Sequence, residues 1–247
     1  TLYSIVKRLN LPQNKIITVE DPVEYRMERI TQIQVNYQIG LDFSKILRSV
    51  LRQDPDILLI GEIRDAETAN IALKAAITGH LVLATLHTND ALTSIHRLLD
   101  LGVEPFLLAS ALRAVISQRL VRLICQDCLS LELFDNFEQN SQEKVWFEQL
   151  LSFYQLAKNN QAYARGLGCS RCQGSGYRGR VAVFEQLVPN IPLLEAIKAR
   201  NFSAFNPLIA NQADYIPLGK SILELVIGNK TSIAQAQKIL GWDILNA

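Results

Sequence analysis

Nowhere in its 247 residues does this chain carry a run of about 18 to 20 apolar residues, the length a helix needs to cross a bilayer. Its first residues also lack the charged start and apolar centre of a secretory leader, so the expectation is a protein that works in the cytoplasm. An excess of charge of one sign is missing too. With 25 Lys and Arg against 24 Asp and Glu the formal net charge is +1, and no global field draws the chain to nucleic acid or to an anionic membrane. Cysteine is scarce, four in all, and in a reducing compartment two Cys-x-x-Cys pairs read as metal ligands sooner than as disulfides. Internal repeats and low-complexity tracts are lacking, which sets aside solenoids and linker regions. Absent finally is G-x-x-x-x-G-K-[ST], the loop whose amides cradle phosphates. The nearest match, Gly219-Lys220-Ser221, has Asp214 where the first glycine belongs and follows a proline rather than a strand.

What is present is an ordinary folded composition, 49% hydrophobic and 20% charged, in a chain long enough for one large domain or a main domain with an appended lobe. Lys15 to Val19 is a β-branched run of buried-strand type that leads into Glu20-Asp21-Pro22. From Asp42, a good N-cap, the residues Phe43, Ile46, Leu47, Val50 and Leu51 recur at helical spacing until Asp54-Pro55 stops them. Ile57 to Ile60 is a second buried strand with Gly61-Glu62 directly behind it. Ala66 to Thr78 is an alanine-rich helix closed by Gly79, and Leu81 to Leu86 is a third strand flanked by His80 and His87. Strands apolar on both faces, alternating with helices, form parallel βαβ units whose ligands bind at the carboxyl ends of the strands. Glu20, Glu62 and His87 fall at such ends. Farther on, Ala91 to Leu101 and Pro105 to Leu120 are expected as helices. Residues 129 to 168 read as a polar excursion with a helix around Gln142 to Lys158, Val181 to Leu187 as a short strand, and the remainder as helices bounded by prolines.

Glu20-Asp21-Pro22-Val23-Glu24 offers hard oxygen ligands suited to a divalent cation or to a hydrolytic water, although most acidic loops only meet solvent. Asp56-Ile-Leu-Leu-Ile-Gly-Glu62 has the form of a Walker B element, whose carboxylate holds the Mg2+ shell or polarises the attacking water, with Gly61-Glu62 in place of the usual aspartate. The plain alternative is a core strand followed by an exposed loop. Thr78-Gly-His80-Leu-Val-Leu-Ala-Thr-Leu-His87-Thr88-Asn89-Asp90 brackets a strand with two histidines, and an imidazole N–H can contact a γ-phosphate. A lone histidine is more often structural, the default for His80 and His96. His87, at the carboxyl end, is the better sensor.

In this order, Ile17 to Tyr25, Leu51 to Asp65 and Thr78 to Asp90 resemble the Asp box, Walker B and His box of the type II/IV secretion-system ATPase family, over nearly the whole chain. The resemblance implies an α/β fold: a RecA-like parallel sheet core flanked by helices, a tetracysteine zinc lobe and a helical C-terminal subdomain. The corresponding segments are 1–123, 124–180 and 181–247. It implies an ATPase motor subunit that powers type II protein secretion or type IV pilus assembly with ATP and Mg2+. Such a subunit forms a homo-hexamer at the cytoplasmic face of the inner membrane and acts through a platform protein. Carried onto this sequence, Glu20 would organise the water or metal shell, Glu62 would be the Walker B carboxylate, and His80 and His87 would belong to the His box. Asp21, Glu24 and Arg64 are further candidates around the nucleotide and its metal. Thr1 to Leu9 looks like the helix behind the family's P-loop, and the family's arginine-bearing N-terminal domains are also absent from the sequence.

Cys125-Gln-Asp-Cys128 and Cys169-Ser-Arg-Cys172 supply four thiolates for a tetrahedral, structural Zn2+ site. The roughly 40 residues between the pairs exceed the roughly 15 to 20 of a zinc ribbon. Cys169-x-x-Cys-x-Gly-x-Gly176 imitates one DnaJ-type repeat, but the first pair lacks the glycines. Gly176-Tyr-Arg-Gly-Arg180 sets two arginines beside the second pair, where the near-zero net charge argues against nucleic acid. In the resembling family this stretch closes the metal lobe of secretion and pilus-assembly members, and retraction-type members typically lack the quartet. Glu28-Arg29-Ile30 departs from the many relatives with glycine before the isoleucine. Two other functions stay open on sequence: a non-catalytic, zinc-containing oligomerisation or docking fragment, and a zinc-ribbon nucleic-acid translocase. With no phosphate loop among them, these 247 residues alone are expected to bind ATP weakly and hydrolyse it negligibly. Tight binding of a fluorescent ATP analogue together with measurable phosphate release would overturn that expectation.

Overall fold

The computed structural model describes residues 1–133, 142–156 and 162–242. The chain divides into two compact units, Thr1–Val115 with Leu187–Ala213, and Ile116–Gln186 with Asp214–Ala247.

The first unit opens with α1 (Leu2–Leu9), β1 (Ile16–Glu20), β2 (Thr31–Gln34), α2 (Phe43–Val50) and β3 (Ile57–Ile60). It continues with α3 (Ala66–Ile77), β4 (Leu81–Ala84), α4 (Ala91–Asp100) and α5 (Pro105–Ala111). The four strands form one parallel sheet in the order β2-β1-β3-β4. Both central strands are buried along their whole length, whereas β2 and β4 are partly exposed. Burial on both faces is why β1 and β3 read as continuous apolar runs, and why β2, Thr-Gln-Ile-Gln, carries no such signal and is not among the expected strands. β4 ends at Ala84, short of the expected Leu86.

A period of two puts Ile16, Thr18 and Glu20 on one face of β1. Under that face lies a cluster of Val6 from α1 with Ile16, Ile57 and Leu59, edged by Leu2, Leu9, Met27 and Ile30. α2 packs on β1, and α3 packs on α2 and β4. Three of the helices start on aspartates: Asp42, Asp65 and Asp90 accept from the amides of Lys45, Thr68 and Thr93 at 2.8, 2.8 and 2.7 Å. Each such cap contributes about 1 kcal/mol. Asp65 and Asp90 therefore belong to helix starts even though they close the Walker B-like and His-box stretches. After α2, Asp54 takes a left-handed φ of 53°, which stops the helix where the sequence indicates. Arg29 also sits in the left-handed region, at φ 63°, a conformation glycine adopts without steric cost.

The helix expected from Pro105 to Leu120 is not formed beyond Ala111. Leu112 is already extended, and Val115–Ile124 is β5, a ten-residue strand. The β-branched content of this segment and its pairing with β8 (Tyr177–Leu187), a partner far away in sequence, outweigh the local helical spacing. β8 itself starts at Tyr177 rather than Val181. Within the stretch read as a polar excursion, β6 (Leu129–Leu133) and β7 (Ala162–Gly166) pair antiparallel around α6 (Gln142–Phe153). α6 ends before Lys158, which lies outside the described residues. Phe147, Leu150 and Trp146 of α6 form the core of the second unit with Ile222, Leu223 and Val226 of α9 (Leu218–Ile227) and Ala236 of α10 (Ile233–Leu240). α7 (Ile191–Lys198) packs on α5, and α8 (Phe205–Ala210) packs on α7, so these two helices belong to the first unit.

Candidate functional site

β1 ends on Glu20, which is only 4% exposed. A buried carboxylate needs donors, and the sheet register supplies them. Thr18, two residues back on the same face, donates from Oγ1 to Glu20 Oε1 at 2.5 Å. Gln32, the register partner of Thr18 on β2, donates from Nε2 to the same oxygen at 3.2 Å. From α1 the Tyr3 hydroxyl donates to Oε2. Burial first, and the bond to Glu20 second, push the Tyr3 phenol up to about 12.

Glu62 follows β3 through Gly61. The Gly61 amide donates to the Val19 carbonyl at 2.7 Å, and a Cβ placed here would come within 3.2 Å of Glu20 Cα and of Val19 O. Glycine thus lets the turn behind β3 run flush against the end of β1. Glu62 is 9% exposed; its Oε1 accepts from the Arg64 guanidinium and its Oε2 lies 3.0 Å from His87 Nε2. The bond from Arg64 lowers the Glu62 carboxyl, burial opposes it, and the bond to His87 lowers it further, so the group is ionised at neutral pH. Arg64 also reaches Asp21, at 3.7 Å. Thr85, just past β4, donates to the Gly61 carbonyl, and its own carbonyl accepts from the Ile63 amide, tying the two strand ends together. His87 nevertheless keeps 85% of its side chain exposed and available to a ligand.

Beside Glu62 lies a cavity of about 300 Å³ lined by Ile63, Arg64, Leu86, His87 and Arg97. Two guanidinium groups and an imidazole give its wall the chemistry of an anion site. Arg97, on α4, is not singled out by the sequence, because nothing in a helical charge pattern separates it from a solvated arginine. Tyr3, Thr18 and Gln32 are likewise missed. The pairing of β1 with β2 discloses Gln32, and the packing of α1 against β1 discloses Tyr3.

The structure brings Glu20, Asp21, Glu62, Arg64 and His87 to the carboxyl ends of the sheet, and leaves two candidates apart. His80 stands at the amino end of β4, its Nδ1 2.9 Å from the Ala75 carbonyl, where it closes the end of α3. Glu24 lies on the exposed loop after β1, while its amide donates to the Tyr3 hydroxyl at 3.3 Å. His96 packs against Phe202 and Phe205, with ring centroids 5.2 and 5.4 Å away, the structural role expected of it.

In the second unit the four cysteine sulfurs all lie within 4.8 Å of one another. Cys125 to Cys169, Cys128 to Cys172 and Cys169 to Cys172 are 3.9, 3.8 and 3.7 Å apart. Four thiolates at the usual Zn–S length of about 2.3 Å stand roughly 3.8 Å apart, so the set fits a tetrahedral Zn2+. The amides of Cys169 and Gly176 donate to Cys172 Sγ at 3.2 and 3.3 Å. Burial raises the Cys172 thiol, but these amides and the neighbouring thiols outweigh it and bring the group to about 6, whereas burial pushes Cys128 up to about 12. A Cβ on Gly166 would stand 2.0 Å from the Gly176 carbonyl oxygen, so the chain segments carrying the knuckle can close only as glycine. Arg171 and Arg178 are turned to Asp127, at 3.0 and 3.9 Å, and Arg122 lies over the Tyr177 ring at 4.4 Å.

The sequence profile described as "Type II/IV secretion system protein" matches residues 1–237. The putative type II secretion system protein E of Escherichia coli K12 is 43% identical over 240 residues, which are 97% of this chain and 46% of that protein. The type II secretion system protein E of Aeromonas hydrophila is 41% identical over 98% of this chain and 46% of its own length. The type IV pilus assembly ATPase PilB of Thermus thermophilus is 48% identical over 81% of this chain and 21% of its own length. The chain thus spans about half or less of the length of these relatives. Among solved structures, the pilus retraction motor PilT with bound ADP superposes with a TM-score of 0.67 at 26% identity, over 97% of this chain and 56% of that one. The Legionella pneumophila ATPase DotB superposes with a TM-score of 0.65 at 23% identity, over 100% of this chain and 56% of that one, a likeness of fold.

Because the Gly61 backbone lies flush against β1, Gly61→Ala is expected to cost about 1 to 3 kcal/mol as neighbouring backbone shifts to admit the methyl group. Denaturant unfolding of the two proteins measures the difference.

Proposed function

This chain belongs to the type II/IV secretion system protein family, and on that footing we propose that it is the catalytic part of an ATPase motor subunit for type II protein secretion or type IV pilus assembly. The observation that carries the reading is the buried, ionised Glu62 carboxylate, held by Arg64 on one oxygen and His87 on the other, at the rim of a cationic cavity. Walls of Arg64, Arg97 and His87 suit the phosphates of ATP, and the hard oxygens of Glu62, Asp21 and Glu20 suit Mg2+ or its water shell. Magnesium, when bound, would neutralise charge on the phosphates. Glu62 acts as the Walker B carboxylate. Glu20, its carboxylate oriented by three donors, aligns the attacking water. His87 is bonded to Glu62 through Nε2, so a contact from its other ring nitrogen to a γ-phosphate couples the state of the nucleotide to that carboxylate.

The cysteine quartet would hold a structural Zn2+ through Cys125, Cys128, Cys169 and Cys172, and a metal lobe of this kind supports assembly or secretion over retraction. A homo-hexamer that contacts an inner-membrane platform protein from the cytoplasmic side completes the reading. It is supported by relatives named as secretion-system proteins and pilus-assembly ATPases. Among the described residues no helix is long and apolar enough to cross a membrane. The nucleic-acid reading gains nothing from arginines that face Asp127.

In the native protein that contains this sequence, Glu62→Gln is expected to lower ATP turnover on the order of 100-fold while nucleotide still binds. Steady-state hydrolysis at wild-type rate would reject the assignment. Elemental analysis is expected to find one zinc per chain, and Cys128→Ser to lose the metal with a lowered melting temperature. A fully folded, metal-free wild type would argue against the zinc site.

A further inference from the structure

We propose that Tyr3 and Gln32 are positioning residues for Glu20, holding its carboxylate in the one orientation from which it aligns the attacking water. This rests on the reading of Glu20 given above.

The network leaves no freedom in how its hydrogen bonds run. Gln32 Oε1 accepts from the Met27 amide at 2.7 Å, so the carboxamide is fixed with its NH2 toward Glu20 Oε1 at 3.2 Å and the Tyr25 carbonyl at 3.1 Å. The Tyr3 hydroxyl accepts from the Glu24 amide at 3.3 Å and donates its proton to Glu20 Oε2. Thr18 Oγ1 donates to Oε1 from beneath. All three donors are satisfied in their present directions only while both Glu20 oxygens accept. The Tyr3 ring is itself held, edge-on to Tyr25 with centroids 4.6 Å apart.

Three segments thus donate to one carboxylate, α1 through Tyr3, β1 through Thr18 and β2 through Gln32, while the loop behind β1 holds Gln32 and Tyr3 through the Met27 amide, the Tyr25 carbonyl and the Glu24 amide. A structural cluster would need donors on Glu20 and nothing more. Here the two side chains also pin the loop that follows Asp21, so the orientation of Glu20 and the placement of Asp21 are set together. Removing either donor leaves the carboxylate with one fewer bond to fix its direction.

The test is steady-state ATP hydrolysis by the native protein carrying Tyr3→Phe, Gln32→Met, both, or Glu20→Gln. Tyr3→Phe and Gln32→Met are each expected to lower kcat about tenfold with KM for ATP within about twofold, the signature of an interaction made in the transition state. The double variant is expected to lose less than the product of the single losses, since both act on one group. Wild-type kcat in both single variants, with Glu20→Gln inactive, would overturn this inference and leave the catalytic assignment of Glu20 standing. Wild-type turnover in Glu20→Gln would instead overturn that assignment. Tyr3→Phe keeps the ring and its packing, so it decides the question alone if thermal unfolding shows that Gln32→Met does not fold.

Discussion

A carboxylate removed from water has to be met by donors or cations on both of its oxygens, and the first unit is organised around meeting that demand twice. Glu20 and Glu62 stand at the ends of the two strands that are buried on both faces, where solvent can serve them little. They are answered differently. Neutral groups from three segments surround Glu20, while Glu62 takes an arginine and an imidazole. The first arrangement fixes a direction; the second links a charge to an exposed ring that a ligand can reach. Both depend on Gly61, whose missing side chain allows the adjacent strand ends to touch.

Much of this was legible in the sequence wherever the information was local. Ile57 to Ile60 has the pattern of a strand buried on two sides, and Asp42 and Asp54 mark the start and stop of α2 as helix-capping chemistry requires. The carboxyl-end positions of Glu20, Glu62 and His87 follow from the alternation of strands and helices alone. What stayed hidden depended on pairing. β2 lacks an apolar pattern, so Gln32 could not be placed next to Thr18, and β5 reads as helix until its partner β8 is known. His80 shows the converse, since the default structural reading of a lone histidine describes it and its motif does not. It shares a motif with His87, yet lies at the other end of the same strand and serves a helix terminus.

The second unit solves a different problem with the same economy of side chains. Its sulfurs are spaced for a tetrahedral ion because backbone segments approach each other at glycines, most closely at Gly166 and Gly176. Gly176, one of the glycines that imitate a DnaJ repeat, thus has a steric purpose of its own, and the nearby Arg171, Arg178 and Arg122 are engaged with Asp127 and Tyr177. In a family whose named members include secretion-system proteins and a pilus-assembly ATPase, this unit accompanies the proposed nucleotide site without sharing its residues.

The pairing of Gln32 with Thr18 has a consequence for how the sheet edge is specified. A half-exposed strand of Thr-Gln-Ile-Gln has too few apolar side chains to choose its own alignment, and a slip by one residue would turn Gln32 to the opposite face. Such a slip would take from the buried Glu20 one of its donors. The buried Glu20 thus adds a polar preference for the observed register to the backbone pairing of β1 with β2, so a residue proposed to serve chemistry also bears on how the edge of the sheet is aligned.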